Sequence, residues 1–337
     1  MIPDLNGQIW SLYEPGVKRS SVAWASSSTN SSVVSADQLG APGPRRWHRN
    51  GAVAIIPVQG IIYPQSIPFL EMLGVITTPA TVAGAVRDAL GESDVEAIVL
   101  DVDSPGGVVS AVPETAARLE ALRASATVPI VAMSRYLMAS AAYWLAAAAA
   151  HQIVVSPSSL TGSIGVLTEH VDASRLYETI GLDISIIHAG QYKAELSDTM
   201  PLSDEARAHL QSHVDYYYEE FVGAVARSRR KSPAAVRDGM ADGRVQVARE
   251  AVSMGMADRA EDMDALMARL AMPRQRRAIL RAETDQAEAD EIYDQLERQL
   301  DEAAANGPPP DDDTEEVKET AADAVAAVLE ERYGSGH

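Results

Sequence analysis

The sequence predicts an α/β fold, in which parallel strands are flanked by helices, and two regularities support this prediction. Short apolar runs rich in β-branched residues occupy residues 52–58, 95–101, 128–133 and 152–155. Segments with helical periodicity lie at residues 78–90, 112–124 and 138–150. Strands that alternate with helices in this way pair in parallel through right-handed crossovers.

Residues 1–49 are predicted to form a flexible leader. They contain serine-rich patches, and Ala41-Pro-Gly-Pro44 follows, a composition that buries little apolar surface. We therefore expect the folded domain to cover residues 50–271.

Two of the predicted helices begin with residues that are typical of a helix N-terminus. Thr78-Pro79 and Val112-Pro113 place a proline in the first turn, where its missing N–H costs nothing. The segment 138–150 is mostly alanine. A longer amphipathic pattern at residues 202–230 predicts a helix that packs on the domain.

The net charge of −20 over 337 residues is concentrated at the C-terminus. Residues 282–337 contain 18 acidic and three basic side chains, a net charge of −15. Residues 272–337 are therefore predicted to form an acidic tail, helical or disordered, that resembles a scaffold segment. This charge disfavours nucleic acid as a partner.

The chain contains no cysteine, which removes disulfides, thiolate metal sites and cysteine-protease chemistry. It also has no secretory signal pattern and no apolar run of about 20 residues. We therefore expect no membrane association and a cytoplasmic location.

A pair of glycines follows the second predicted strand, in the loop Asp103-Ser-Pro-Gly-Gly107. Sites of parallel sheets lie at the carboxyl ends of strands. Gly106 and Gly107 would let backbone N–H groups approach a ligand closely, as an oxyanion hole requires. An ordinary turn between a strand and a helix explains the glycines equally well.

A candidate nucleophile, Ser163, lies in Thr161-Gly-Ser-Ile-Gly165, after the fourth predicted strand. The flanking glycines allow a sharp turn that presents the hydroxyl to a cleft, where a base could activate it. Taken alone, however, a Gly-Ser pair is more often a simple turn.

The base could be Lys193 or one of seven histidines. Lys193 follows the apolar run Ile184–Ile187, and desolvation beside a buried strand would favour a neutral amine that accepts a proton from serine. An exposed loop lysine is the commoner situation. His209 and His213 lie four residues apart on one helix, but a third metal ligand is missing.

The order of several motifs resembles that of the signal peptide peptidase A family of serine proteases. These motifs are Asp103–Gly107, Met138–Trp144, Leu160–Val166, Gly190–Lys193 and Ala241–Val245. The resemblance covers residues 50–270 and implies a Clp protease/crotonase-like fold. It makes Ser163 the nucleophile, Lys193 the general base and Gly106/Gly107 the oxyanion hole. Ser140 matches a family position at the start of a helix, but Ala141-Ala142 replaces the usual Gly-Gly.

The resemblance further implies a homo-oligomer that cleaves proteins without a cofactor. The missing membrane anchor and the acidic tail make the chain similar to the head-maturation proteases of tailed phages. The expected substrates are then scaffold, portal or capsid proteins, and the chain itself, in the host cytoplasm or the prohead interior.

Four alternatives remain open from the sequence. They are a soluble bacterial protease similar to signal peptide peptidases, a non-catalytic assembly scaffold, a crotonase-like acyl-CoA enzyme, and a site formed by Ser140 and a histidine.

Overall fold

The computed structural model of the chain describes residues 9–12, 46–280 and 282. The chain divides into two compact units, Met1–Arg276 and Arg277–His337, and the strands and helices named below belong to the first. Most of the predicted acidic tail, 272–337, lies outside the described residues.

The described strands, in chain order, are β1 (Ile9–Leu12), β2 (His48–Asn50), β3 (Val53–Gln59), β4 (Ile61–Ile62), β5 (Ile76–Thr77), β6 (Ala97–Ser104), β7 (Gly106–Val108), β8 (Ile130–Ala139), β9 (Gln152–Val155), β10 (Leu160–Gly162), β11 (Leu167–Thr168), β12 (Val245–Val247) and β13 (Arg259–Ala260). The described helices are α1 (Pro68–Met72), α2 (Pro79–Leu90), α3 (Val112–Ala124), α4 (Ala141–Ala149), α5 (Ser174–Thr179), α6 (Asp204–Arg229), α7 (Pro233–Gly239), α8 (Ala248–Ser253) and α9 (Met263–Leu270).

Two sheets organise this unit. The larger has the order β12-β10-β8-β6-β3-β2, and β9 pairs with both β8 and β13. Its centre is parallel, because β3, β6, β8 and β10 all run in one direction. The smaller sheet has the order β11-β1-β7-β4-β5. The predicted α/β class, with parallel strands flanked by helices, is confirmed.

The core is centred on α4, whose residues are all buried. Trp144 stacks on Phe221 of α6 with ring centroids 4.6 Å apart, and the Tyr143 hydroxyl donates to the Met256 carbonyl at 2.8 Å. A helix that is apolar on all sides must be enclosed by protein. Ser140, which directly precedes α4, is therefore attached to a helix whose position is fixed by the core.

The predicted helices match the structure closely, with one informative difference. Helix α4 begins at Ala141 rather than at Met138, because β8 continues to Ala139 by pairing with β10. The residue between them, Ser140, therefore lies in a turn from strand to helix.

Two further findings concern segments predicted to be irregular. Gly106 and Gly107 are strand residues of β7, although the sequence predicts a loop there. The predicted leader contains β1, which pairs with strands more than ninety residues away in sequence. No helix within the described residues is long and apolar enough to span a bilayer.

Candidate active site

Ser140 occupies a strained turn between β8 and α4. Its backbone has φ 57° and ψ −126°, a combination that costs a residue with a side chain about 1–3 kcal/mol. Its N–H donates to the Gly162 carbonyl at 2.7 Å, and its own carbonyl accepts from Trp144 at 2.9 Å. Ser140 is buried and directly precedes the first turn of α4. The nucleophiles of many hydrolases lie at such a turn from strand to helix.

Ser163 lies beside this turn, because it follows Gly162 directly. It also has a positive φ, 52°, and its N–H donates to the Arg244 carbonyl at 2.6 Å. Its exposed fraction is 5%. The residues directly after Ser163 form no helix, so its hydroxyl lacks the helix N-terminus that Ser140 has. The assignment of Ser163 as nucleophile remains a prediction, and the backbone geometry favours Ser140.

The two glycines adjoin the same turn. Helix α4 packs against β7, and Ser104, just before the glycines, is paired with Met138, two residues before Ser140. The Ser104 hydroxyl donates to the Gly60 carbonyl at 2.6 Å and accepts from the Gly106 N–H at 3.2 Å.

Gly107 has no room for a side chain. A Cβ at this position would lie 1.9 Å from the Ile62 carbonyl oxygen of β4. The close approach of β4 and β7 therefore requires glycine at this position. The oxyanion role of the pair remains a prediction, to which the geometry adds the N–H of Ala141, the residue after Ser140.

Lys193 is exposed, and no hydrogen bond joins its Nζ to Ser140 or Ser163 within the described chain. The expected desolvation beside a buried strand is wrong for the single chain. The run Ile184–Ile187 forms no strand, and Ile187 is 98% exposed, because no element of the described chain covers it. The role of Lys193 as base remains a prediction.

The histidines offer little support for a serine–histidine site. The His151 ring accepts from the N–H of Ile130, which begins β8, whereas Ser140 follows the end of that ten-residue strand. Ser140 and His151 therefore lie at opposite ends of β8. His209 and His213 lie against each other, with ring centroids 4.4 Å apart.

Acidic groups lie at the end of β6, close to the glycine pair. Burial and the nearby Asp101 carboxylate raise the pKa of Asp103 above its ordinary value, although Arg135 opposes this shift. Asp101 itself is paired with Arg135, whose Nε donates to it at 3.1 Å. The ion pair fixes the orientation of β6 and β8 just before the site.

Comparison with known proteins places these features in a family. Residues 123–276 match peptidase family S49. The chain is 35% identical to Protease 4 of Salmonella typhi over 57% of this chain and 30% of that protein. It is 28% identical to the capsid assembly protease C of phage lambda, over 67% of this chain and 50% of that protein. A solved structure, a ClpP1 mutant from Listeria monocytogenes, aligns with a TM-score of 0.39 and 13% identity over 63% of this chain and 94% of that one.

The chain thus spans half or less of two of these relatives. A third relative, "Putative protease slr0021" of Synechocystis, is 30% identical over 59% of this chain and 73% of its own length. Since this match extends over most of that relative, the resemblance noted in the sequence is confirmed, and the chain belongs to peptidase family S49.

Proposed function

We propose that this chain is a serine endopeptidase that hydrolyses peptide bonds in protein substrates. The strained turn at Ser140 is the observation that carries the proposal. It combines a serine at a helix N-terminus with the close-packed glycines of β7 and belongs to a chain of a peptidase family.

In the proposed reaction, neutral Lys193 accepts the serine hydroxyl proton while Oγ bonds to the substrate carbonyl carbon. Because the Gly106 N–H is already bonded to Ser104, the N–H groups of Gly107 and Ala141 stabilise the oxyanion. The C–N bond then breaks, and the leaving amine takes the proton from Lys193. Water hydrolyses the resulting ester and restores the serine hydroxyl.

Ser140 is proposed as the nucleophile, and Ser163 is the alternative from the sequence. A fluorophosphonate probe followed by peptide mapping distinguishes them. We expect the probe on Ser140, no labelling of Ser140→Ala, and labelling of Ser163→Ala. A probe on Ser163 that persists in Ser140→Ala would reverse the assignment. The absence of labelling and of cleavage in the wild-type chain would favour the non-catalytic scaffold or the acyl-CoA enzyme.

The position of Lys193 supports a homo-oligomer in which one subunit completes the site of another. Lys193 and the neighbouring run Ile184–Ile187 are exposed in the single chain, and a second subunit would bury both. Burial would also supply the desolvation that a neutral amine requires.

Mixing two inactive variants tests this arrangement. Ser140→Ala and Lys193→Ala should each be inactive alone. Co-refolded mixtures should regain activity, because some sites combine an intact serine with an intact lysine. Mixed oligomers that remain inactive would place both residues of each site in one subunit.

We propose that the chain acts in phage capsid assembly. This role is supported by the similarity to the capsid protease of phage lambda and by the acidic C-terminal sequence. Scaffold, portal or capsid proteins would then be substrates, as would the chain itself. Co-expression with the proteins encoded beside it, followed by mass spectrometry, should reveal defined cuts that Ser140→Ala abolishes. Cleavage of free signal peptides only would favour the soluble bacterial protease instead.

A further inference from the structure

The strand β1 lies between two strands that adjoin the candidate active site. On one side it pairs antiparallel with β7, in the register Trp10–Val108, Ser11–Gly107 and Leu12–Gly106. On the other side it pairs antiparallel with β11, which begins four residues after Ser163. Within the described chain, β11 has no other strand partner.

The slot that β1 fills has the width of one strand. Neighbouring strands lie about 4.8 Å apart, so β7 and β11 are separated by roughly 10 Å. An extended peptide in this slot can bond to backbone groups on both sides without any particular side chain. Strand addition of this kind is a common way to bind peptides.

The orientation of Gly107 follows from the bonds of β4. Ile61 and Tyr63, on either side of Ile62, direct their N–H groups away from β7. Ile61 donates to the Val75 carbonyl at 2.9 Å, and Tyr63 donates to the Thr77 carbonyl at 3.0 Å. The N–H and carbonyl groups of successive strand residues point to opposite sides. Ile62 therefore bonds towards β7, to Gly106 and Val108, which flank its paired residue Gly107. The N–H and carbonyl of Gly107 therefore face β1, where Ser11 is the paired residue.

The register of β1 relative to the catalytic groups resembles that expected of a substrate. Leu12 lies opposite Gly106, at the end of β7 that follows Ser104, and Ser104 pairs near Ser140. The carbonyl of Ser11 faces the N–H of Gly107, a proposed oxyanion donor, whereas the carbonyl of Leu12 points to the other side, towards β11. A peptide in this register therefore presents the bond after Ser11 to the strained serine turn.

We propose that residues 9–12 of this chain, which fill the groove between β7 and β11, act there as a substrate-like inhibitor. The inhibitory consequence rests on the proposed function, whereas the occupancy does not. Because the segment is tethered, it competes at an effective concentration of the order of mM.

Replacing Ser11 by proline tests the proposal in the full chain. Ser11→Pro removes the N–H that faces Gly107 and disrupts the strand, whereas the matched control Ser11→Ala removes only the hydroxyl. Two measurements are made on both variants and on the wild type. They are the rate of labelling by a fluorophosphonate probe and the hydrogen exchange of a peptide that covers residues 105–109.

We expect Ser11→Pro to be labelled about tenfold faster than the wild type, as the loss of ~1.4 kcal/mol of pairing predicts. Its exchange over residues 105–109 should also be faster, whereas Ser11→Ala should behave as the wild type in both measurements. Equal exchange in all three proteins would overturn the proposed occupancy. Faster exchange without labelling of any protein would support the occupancy but contradict the proposed serine chemistry. Faster exchange with equal labelling would overturn the inhibition.

Discussion

The backbone N–H of Ser140 donates a hydrogen bond to the carbonyl oxygen of Gly162, across 2.7 Å. This bond joins the ends of two parallel strands, β8 and β10, and brings the two candidate serines next to each other. Gly162 has φ 123°, and a Cβ there would lie 2.9 Å from the Arg244 carbonyl. The Thr-Gly-Ser-Ile-Gly motif thus shapes the strand end that fixes the Ser140 turn.

Gly107→Ala should impair both folding and catalysis. The added Cβ would lie 1.9 Å from the Ile62 carbonyl, so β4 and β7 must separate. We expect a loss of about 1–3 kcal/mol in the free energy of unfolding and a fall in kcat of about 100-fold or more. Chemical denaturation and peptidase assays measure the two effects. The control Gly239→Ala meets no atom within 4 Å and should resemble the wild type. Unchanged activity in Gly107→Ala would contradict the oxyanion proposal.

Asp258→Ala should be strongly destabilising. The Arg229 guanidinium, 10% exposed, donates to this carboxylate at 2.5 and 3.2 Å, and the Ile153 N–H donates to it at 2.6 Å. Its removal leaves a buried cation and a backbone donor without their partner, at a cost of about 3 kcal/mol. Asp88→Ala removes the exposed partner of Arg87 and should change stability by less than about 0.5 kcal/mol. Similar unfolding midpoints for the two variants would contradict the prediction.

Asp103→Asn should stabilise the protein at neutral pH but not in acid. Folding raises the pKa of Asp103, mainly through burial, so the folded state binds this proton more tightly than the unfolded state. The stability contribution is present below the unfolded pKa and is lost as the pH rises through the folded pKa. Asparagine avoids that loss. We expect the Tm to rise by about 1–2 °C at pH 7 and to be unchanged near pH 3, as followed by calorimetry. An equal shift at both pH values would rule out titration of Asp103 as the cause.

Ile187→Asp should weaken association without unfolding the chain. The side chain is 98% exposed, so a charge there costs the single subunit little. If a second subunit covers the run Ile184–Ile187, the charge would be buried, and light scattering should detect smaller particles. Met72→Asp changes an exposed apolar residue outside this run and is the control. An unchanged mass for Ile187→Asp would contradict the proposed interface.

A synthetic peptide of residues 7–14 should be cleaved after Ser11. In the register of β1 this residue is paired with Gly107, whose N–H is a proposed oxyanion donor. The full-length Ser11→Pro variant, with its groove open, is the enzyme for this assay. Mass spectrometry of the products should find fragments ending at Ser11 and beginning at Leu12. The same peptide with proline at position 11 should resist cleavage. Cleavage at another bond would contradict the inferred register.

Much of the fold was predictable because local patterns specify it. The apolar runs became β3, β6, β8 and β9, and the segment with proline at its start became α3, Val112–Ala124, as expected. The motifs with Gly106, Gly107 and Ser163 also come together beside the Ser140 turn. The predicted burial of residues 184–187, before Lys193, does not occur in the single chain. Burial depends on the surfaces that pack against a segment, and the sequence of the segment alone does not specify them.

The sequence by itself determined the order of strands and helices, the glycines that allow β7 to approach β4, and the family to which the chain belongs. Only the tertiary structure decided where β8 ends, and hence that Ser140 rather than Ser163 occupies the turn from strand to helix. It also decided that residues 9–12 lie in the groove between β7 and β11. The physical reason is the same in both cases, because the length of a strand and the position of an added strand are set by backbone bonds to residues far away in sequence.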